Sequence, residues 1–321
     1  MFKFLILLII SFNIWSKYEI TVLATNISNY GGFGEWSFSA LYESDDESIL
    51  FDTGFHEDTV LHNAQVLNKD LSKVEKVVLS HYHSDHTGGL IKLRKMFKSV
   101  NDQAFTQVYV ARGFFDQRYT KDGTKVGPGN LKDASEFRSN AEKEGINFVV
   151  LNDHKMIAEN LYATGTVQRD VEYYNGPKGL FIYEDGIPQP DIILDDQSLG
   201  MLTDEGWVMM SGCGHSGIIN TAQKLQSIKD VPVYGAIGGF HLFKANDETI
   251  NSTANWLKDN GMEKFMGGHC TGIHAATTIA QIIGIERQNL SHTAIGSVLT
   301  KDLIILWSSV GDRDFMPFLL F

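Results

Sequence analysis

The chain of 321 residues lacks most of the marks of a divided or repetitive protein. Its six prolines and thirty glycines nowhere gather into a linker, and no block of like charge separates two halves. A single domain is expected, although the length exceeds what one core usually needs. No repeat of fixed period is apparent. Basic residues are in the minority: 27 Lys plus Arg stand against 39 Asp plus Glu, a formal charge of −12. An acidic surface repels phosphate backbones, so a small molecule and not a nucleic acid is the expected partner.

Long apolar runs are absent beyond the N-terminus. There, MFKFLILLIISFNIWS has one lysine, an apolar stretch short for a bilayer, and Ser16 as a small residue for cleavage. Residues 1–16 read as a secretory signal peptide, with an uncleaved anchor as the alternative; no lipobox cysteine accompanies them. The expectation is export to the periplasm or secretion, no stable membrane span after cleavage, and one mature domain over residues 17–321.

What the chain does have is concentrated in residues 80–90, SHYHSDHTGGL, where His81, His83, Asp85 and His86 place three imidazoles and a carboxylate within six residues. The preceding VEKVVLS is Val-rich, as in a buried strand, and Gly88-Gly89 before LIKLRKMFK predicts a turn into an amphipathic helix. The histidines thus fall on a loop at a strand's C-terminal end, where they can fold around one or two divalent ions. Imidazole and carboxylate suit zinc, with manganese and iron as alternatives. The competing reading, a surface loop rich in histidine by chance, fits poorly with four ligand-type residues in six positions.

Three later histidines share the strand-end setting. His215 follows GWVMM through the SGCG turn, His241 ends VYGAIGGFHL, and His269 follows KFM in GGHCTG. Each alone is an ordinary structural histidine; together, beside HxHxDH, they are ligand candidates. Cys213 and Cys270, the chain's two cysteines, adjoin these loops and read as small buried residues beneath the site, with a disulfide or thiolate ligation as alternatives. His56, His62, His154, His274 and His292 read as structural.

HxHxDH followed by TGGL resembles the metallo-β-lactamase superfamily. ILFDTG (residues 49–54) is similar to that superfamily's first motif, whose aspartate, here Asp52, orients the ligands from behind. LDDQSLGMLTDEGWVMMSGCGHSGIIN (residues 194–220), with GGFHL and GGHCTG, resembles the branch named after dihydropterin-ribofuranosylaminobenzene phosphate synthase. The resemblance implies a four-layer αββα sandwich of the α/β (α+β) class: two mixed sheets face to face, helices outside, metals at one edge. It implies His81, His83 and His215 as one metal site and Asp85, His86 and His269 as a second. Where most dinuclear members place a bridging aspartate, this chain has His241, read as a ligand to one metal, a proton donor or a substrate contact.

Strand-like runs (YEITVLAT, ESILFDTG, QVYVAR, INFVVL, GLFIYE, GWVMMSG, VPVYGAIGG, DLIILWS) alternate with helical stretches (ASEFRSNAEKEG, TAQKLQSIK, TINSTANWLKDNG), as that architecture needs. Two segments are expected to shape the pocket: GGFGEWSF (residues 31–38), as a mobile loop covering an apolar group with Phe33 and Trp36, and a polar insertion at residues 113–145.

The expected reaction is metal-assisted hydrolysis of an ester, lactone, thioester, phosphoester or amide-type bond. The metal supplies hydroxide at neutral pH, Asp85 orients it, and His241 donates a proton. The branch implies instead a transferase-type condensation in an intracellular pathway, which the export signal argues against. A metal-binding protein without turnover is the third reading.

Overall fold

The computed structural model describes residues 18–28, 31–172, 178–285, 292–300 and 305–306; the leader read at residues 1–16 and most of DLIILWS lie outside them. The first half of the chain supplies β1 (Tyr18–Ala24), β2 (Ser39–Ser44), β3 (Ser48–Phe51), β4 (Val74–Val78), β5 (Gln107–Ala111), β6 (Arg118–Thr120), β7 (Lys125–Val126) and β8 (Asn147–Leu151). The second half supplies β9 (Lys155–Ala158), β10 (Leu161–Ala163), β11 (Leu180–Glu184), β12 (Ile187–Pro190), β13 (Ser198–Leu202), β14 (Trp207–Ser211), β15 (Val233–Gly238), β16 (Lys264–Gly267), β17 (Val298–Thr300) and β18 (Ile305–Leu306). One sheet has the order β18-β17-β1-β2-β3-β4-β5-β8 and a second the order β16-β15-β14-β13-β10-β9. Both are mixed: β3, β4, β5 and β8 run parallel in the first, β14, β15 and β16 in the second, and the remaining pairs are antiparallel.

The period-2 alternation of strand side chains sorts apolar residues into layers. On β14, Val208 and Met210 turn inward to a core shared with Ile20, Val22, Phe51 and Val78 of the first sheet. Trp207 and Met209 turn outward, to be covered by Leu225, Ala254 and Ile279. Those three lie on α5 (Ile218–Ile228), α6 (Asp247–Asp259) and α7 (Ile273–Ile283). The outer face of the first sheet is covered in the same way by α1 (Thr59–Val66), α3 (Leu90–Phe97) and α4 (Ala134–Lys143), through Val60, Leu93 and Phe137. Burying each such side chain contributes roughly 1.5–3 kcal/mol, so the sandwich is held by its three apolar seams. The order helices, sheet, sheet, helices is the αββα sandwich expected.

One element was not foreseen. A third sheet, β12-β11-β6-β7, joins GLFIYE to the region read as a polar insertion. The β11–β12 hairpin turns through Asp185 (φ 50°) and Gly186 (φ 79°), the Asp-Gly pair that suits a tight turn with both residues left-handed. The insertion is therefore structured: it contains α4, which is capped by Asp133 accepting the amides of Ser135 and Glu136. Among the described residues no helix is long and apolar enough to cross a membrane.

Candidate metal centre

The parallel strands bring their C-terminal ends to one edge of the sandwich, and every candidate ligand lies just past such an end. Asp52 follows β3, and the run from Ser80 to His86 follows β4. Cys213 and His215 follow β14, His241 follows β15, and His269 follows β16. Asp85 and His86 sit in the single turn α2 (Ser84–Thr87). Three of these residues have left-handed backbone without being glycine: Asp52 (φ 56°), His241 (φ 49°) and His269 (φ 46°). Such conformations cost on the order of 1–3 kcal/mol each and persist where the surroundings demand a particular side-chain direction. Glycine is required where the two sheets meet, since a Cβ on Gly212 would lie 2.2 Å from Ser80 Oγ and 2.4 Å from Asp52 Oδ2.

The side chains form two clusters. In the first, His81 Nε2 lies 2.8 Å from His83 Nδ1 and 3.2 Å from His215 Nε2. In the second, Asp85 Oδ2 lies 3.3 Å from His269 Nε2 and 3.7 Å from His86 Nε2. Ligand nitrogens about 2.0–2.1 Å from a tetrahedral ion are about 3.3 Å apart, so His81 and His215 have the spacing of a divalent-ion site, while His83 stands at hydrogen-bond distance from His81. The hydrogen bonds behind it set the tautomers. Asp52 Oδ1 accepts the Ser80 amide at 2.6 Å, and its Oδ2 accepts His86 Nδ1 and Ser80 Oγ, each at 2.7 Å. Ser80 Oγ in turn lies 2.9 Å from His81 Nδ1. With protons held on the Nδ1 side, His81 and His86 turn Nε2 lone pairs inward, where a cation satisfies them. Asp52 thus stands behind both clusters, with Ser80 as its relay to His81.

Electrostatics agree with this donor set in the first cluster. Removal from water drives His81 and His215 well below the ordinary imidazole value and His83 down to about 4, so all three are neutral near pH 7. Burial opposes charge on His86 too, but Asp85 and Asp52 outweigh it and raise the ring to about 9, so a cation bound there displaces a proton from its Nε2. Burial likewise works against the Asp85 carboxylate, yet His86 and His269 hold it well below the usual carboxylate range.

Two adjacent acids carry the frame. Asp195 Oδ2 accepts the Tyr82 amide at 2.7 Å, which fixes the loop between His81 and His83. Its Oδ1 takes Arg118 Nη2 at 2.6 Å, and the guanidinium lies 3.8 Å from the centre of the Tyr82 ring. Asp196 Oδ2 accepts the Ser216 amide at 2.9 Å and so fixes the turn that carries His215. Burial lifts Asp195 to about 6 even though Arg118 pulls it down. Both acids lie in the LDDQ motif, but nothing local in it shows what they hold, and Arg118 reaches Asp195 from the insertion across 77 positions of chain.

His241, which stands where a bridging aspartate is usual, packs its ring 4.4 Å from that of His215 and falls in a ligand group with Cys213 and Cys270. The atom common to the clusters is Cys213 Sγ, 3.3 Å from His86 Nε2 and 3.2 Å from His269 Nε2. Cys213 thus lies buried among the candidate ligand atoms. The GGFGEWSF loop is pinned, because the Glu35 carboxylate accepts the amides of Phe55 and His56 and the hydroxyls of Ser37 and Thr59. Trp36 does reach the site, with its ring 5.0 Å from that of His269 and 5.3 Å from that of Phe243, whereas Phe33 stacks on His62. Of the histidines read as structural, His154 pairs with Asp153, His274 with Asp247, and His292 approaches the Ile273 carbonyl.

Beside the clusters lies a cavity of about 1110 Å³, lined by Asp85, Cys213 and His241 and by Trp36, Phe243, Trp256 and Lys244. The residues of the insertion do not line it.

Residues 37–100 match the family model described as the metallo-beta-lactamase superfamily. The chain is 31% identical over 273 residues to the 7,8-dihydropterin-6-methyl-4-(beta-D-ribofuranosyl)-aminobenzene-5'-phosphate synthase of Methanocaldococcus jannaschii, covering 81% of this chain and 90% of that one. Among solved structures, a metal-dependent hydrolase of the beta-lactamase superfamily superposes with a TM-score of 0.71 at 27% identity, covering 88% of this chain and 98% of that one. The metallo-beta-lactamase fold protein YhfI from Bacillus subtilis, at 15% identity, covers 89% of this chain and 100% of that one with a TM-score of 0.53, a likeness of fold alone.

Proposed function

The chain belongs to the metallo-beta-lactamase superfamily, and from that premise we propose that it is a metal-dependent hydrolase of a small-molecule ester, lactone, thioester, phosphoester or amide-type bond. The observation that carries this reading is the group of adjoining ligand clusters, of which His83, Asp85, Cys213 and His215 line a large cavity. His81, His83 and His215 would hold one divalent cation, and Asp85, His86 and His269 a second, with zinc first among the metals these donors suit. Cations bound there supply hydroxide near neutral pH and polarise the bond under attack.

The chain's own residues do the rest. Asp85 keeps one carboxylate oxygen directed at His269 and His86, and its charge serves to orient the attacking water. His241, beside His215 in the cavity, would protonate the leaving group or hold the substrate. Trp36 and Phe243 would shield an apolar part of the substrate from water, and Lys244 would meet an anionic part.

A second reading, a synthase-like group transfer in the same cavity, is favoured by the 31% identity to the archaeal synthase. One experiment separates the two: metal content of the purified protein, with turnover of chromogenic phosphodiester, lactone, thioester and β-lactam substrates before and after chelation. Turnover of one substrate class that chelation abolishes and added metal restores supports the hydrolase. Two metals per chain with every substrate untouched would favour transfer.

A further inference from the structure

Three groups of ligand atoms lie close enough to hold an ion, and one side chain is common to all: Asp85, His86, Cys213 and His269; His81, Cys213 and His215; Cys213, His241 and Cys270. Within each group the donor atoms lie within 4.8 Å of one another. Cys213 Sγ therefore stands at the junction of the clusters, in direct contact with His86 Nε2 and His269 Nε2 on one side and within reach of His81 and His215 on the other. We propose that Cys213 is a thiolate ligand shared by the two cations. The proposal deepens the metal-centre reading above and rests on it.

The local backbone explains how the sulfur gets there. Gly212 and Gly214 flank Cys213; the first lets the turn press against Ser80 and Asp52, and the second turns at φ 63° to send the chain on to His215. The other cysteine belongs to only one of the three groups. Cys270 Sγ accepts the His241 amide at 3.3 Å and points its own hydrogen at the Cys213 carbonyl, 3.4 Å away. Asp52, the buried acid behind both clusters, spends both oxygens on Ser80 and His86. No other anionic group of the described residues shares all three ligand groups.

Charge gives the reason for a thiolate. The imidazoles are neutral donors, so Asp85 alone supplies one negative charge to two dications, and a second anion at the junction reduces the repulsion between them. Binding breaks the Cys213 S–H bond: the proton leaves to solvent and the sulfur electron pair goes to the cations, with no change of oxidation state. A sulfur ligand also narrows the metal class, because thiolate favours zinc, iron and cobalt over magnesium, calcium or manganese.

The test is cobalt(II) loading of the full-length protein, read by absorption, by metal analysis and by electron paramagnetic resonance. Two cobalt ions per chain, an intense sulfur-to-cobalt charge-transfer band in the near ultraviolet, and magnetic coupling between the ions are expected. Cys213→Ser should lose the band and the coupling, Cys270→Ser should keep both, and Cys213→Asp should keep two ions without the band. Circular dichroism of each variant establishes that it is folded. Cobalt bound without the band, or a band that survives in folded Cys213→Ser, overturns the role of Cys213 while leaving the metal centre standing. A band without coupling confines Cys213 to one ion and overturns the sharing. No cobalt bound at all would sink both the centre and the thiolate.

Discussion

Asp195 and Asp196, neighbours in the chain, brace the two sides of the first cluster: Asp195 accepts the Tyr82 amide beside His81 and His83, and Asp196 accepts the Ser216 amide beside His215. The pair ties a loop of one sheet to a loop of the other, and the geometry of the three imidazoles depends on it.

Asp195→Ala should therefore act twice. It strands the buried Arg118 guanidinium with only Asp191, 3.3 Å from Arg118 Nε, as acidic partner. Removing one member of a buried pair typically costs about 3–5 kcal/mol. Urea unfolding should show a loss on that scale, and chelator competition should show weaker metal binding. Full stability with unchanged affinity would mean that the brace is dispensable.

Asp52→Asn removes the carboxylate that holds the His86 Nδ1 proton and anchors Ser80. Loss of such a partner behind a ligand typically lowers metal affinity about 10–100-fold. Competition with a chromogenic chelator measures it, and an affinity within twofold of wild type would remove Asp52 from that role.

Gly212→Ala drives a methyl group to 2.2 Å from Ser80 Oγ and 2.4 Å from Asp52 Oδ2. Overpacking of this kind costs about 1–3 kcal/mol, and here the strain falls on the hydrogen bonds that orient His81 and His86. Reduced metal content in a protein that still folds, by metal analysis alongside circular dichroism, is the expected outcome.

The pH dependence of the metal-stripped protein follows from opposing histidines. His83, at about 4 when folded, takes up a proton less readily than in the unfolded chain, where the value is about 6.5. It therefore lowers stability as pH falls below about 6.5 and on through 4, and His81 and His215 act in the same direction. His86, raised to about 9, contributes stability that is fully present below about 6.5 and lost as pH rises to 9. Stability should thus peak near pH 6–7, and thermal unfolding in chelator between pH 4 and 9 reads it directly. A monotonic rise across that range would contradict the assignment.

Trp36→Ala opens the cavity beside His269 and Phe243 without touching a ligand. For a substrate with an apolar group, KM should rise about tenfold while kcat changes little, since the lost contact is made in ground and transition states alike. A fall in kcat with KM unchanged would place Trp36 in the chemistry instead.

The motifs of the sequence, through their resemblance to the metallo-β-lactamase superfamily, implied the layered fold and six candidate ligands: His81, His83, Asp85, His86, His215 and His269 all lie in the two clusters at strand ends. Alternation of apolar residues and the spacing of HxHxDH are local properties, and they survive without knowledge of partners. Only the tertiary structure decided what stands between and behind those ligands. Cys213 meets His86 across 127 positions of chain and Tyr82 meets Asp195 across 113, so neither contact leaves a periodic trace in sequence. The third sheet, the buried Arg118 and the pinned Glu35 loop arise in the same way. A buried charge or thiol takes its role from whichever groups the fold presses against it, and that choice is made only when the two sheets close on one another.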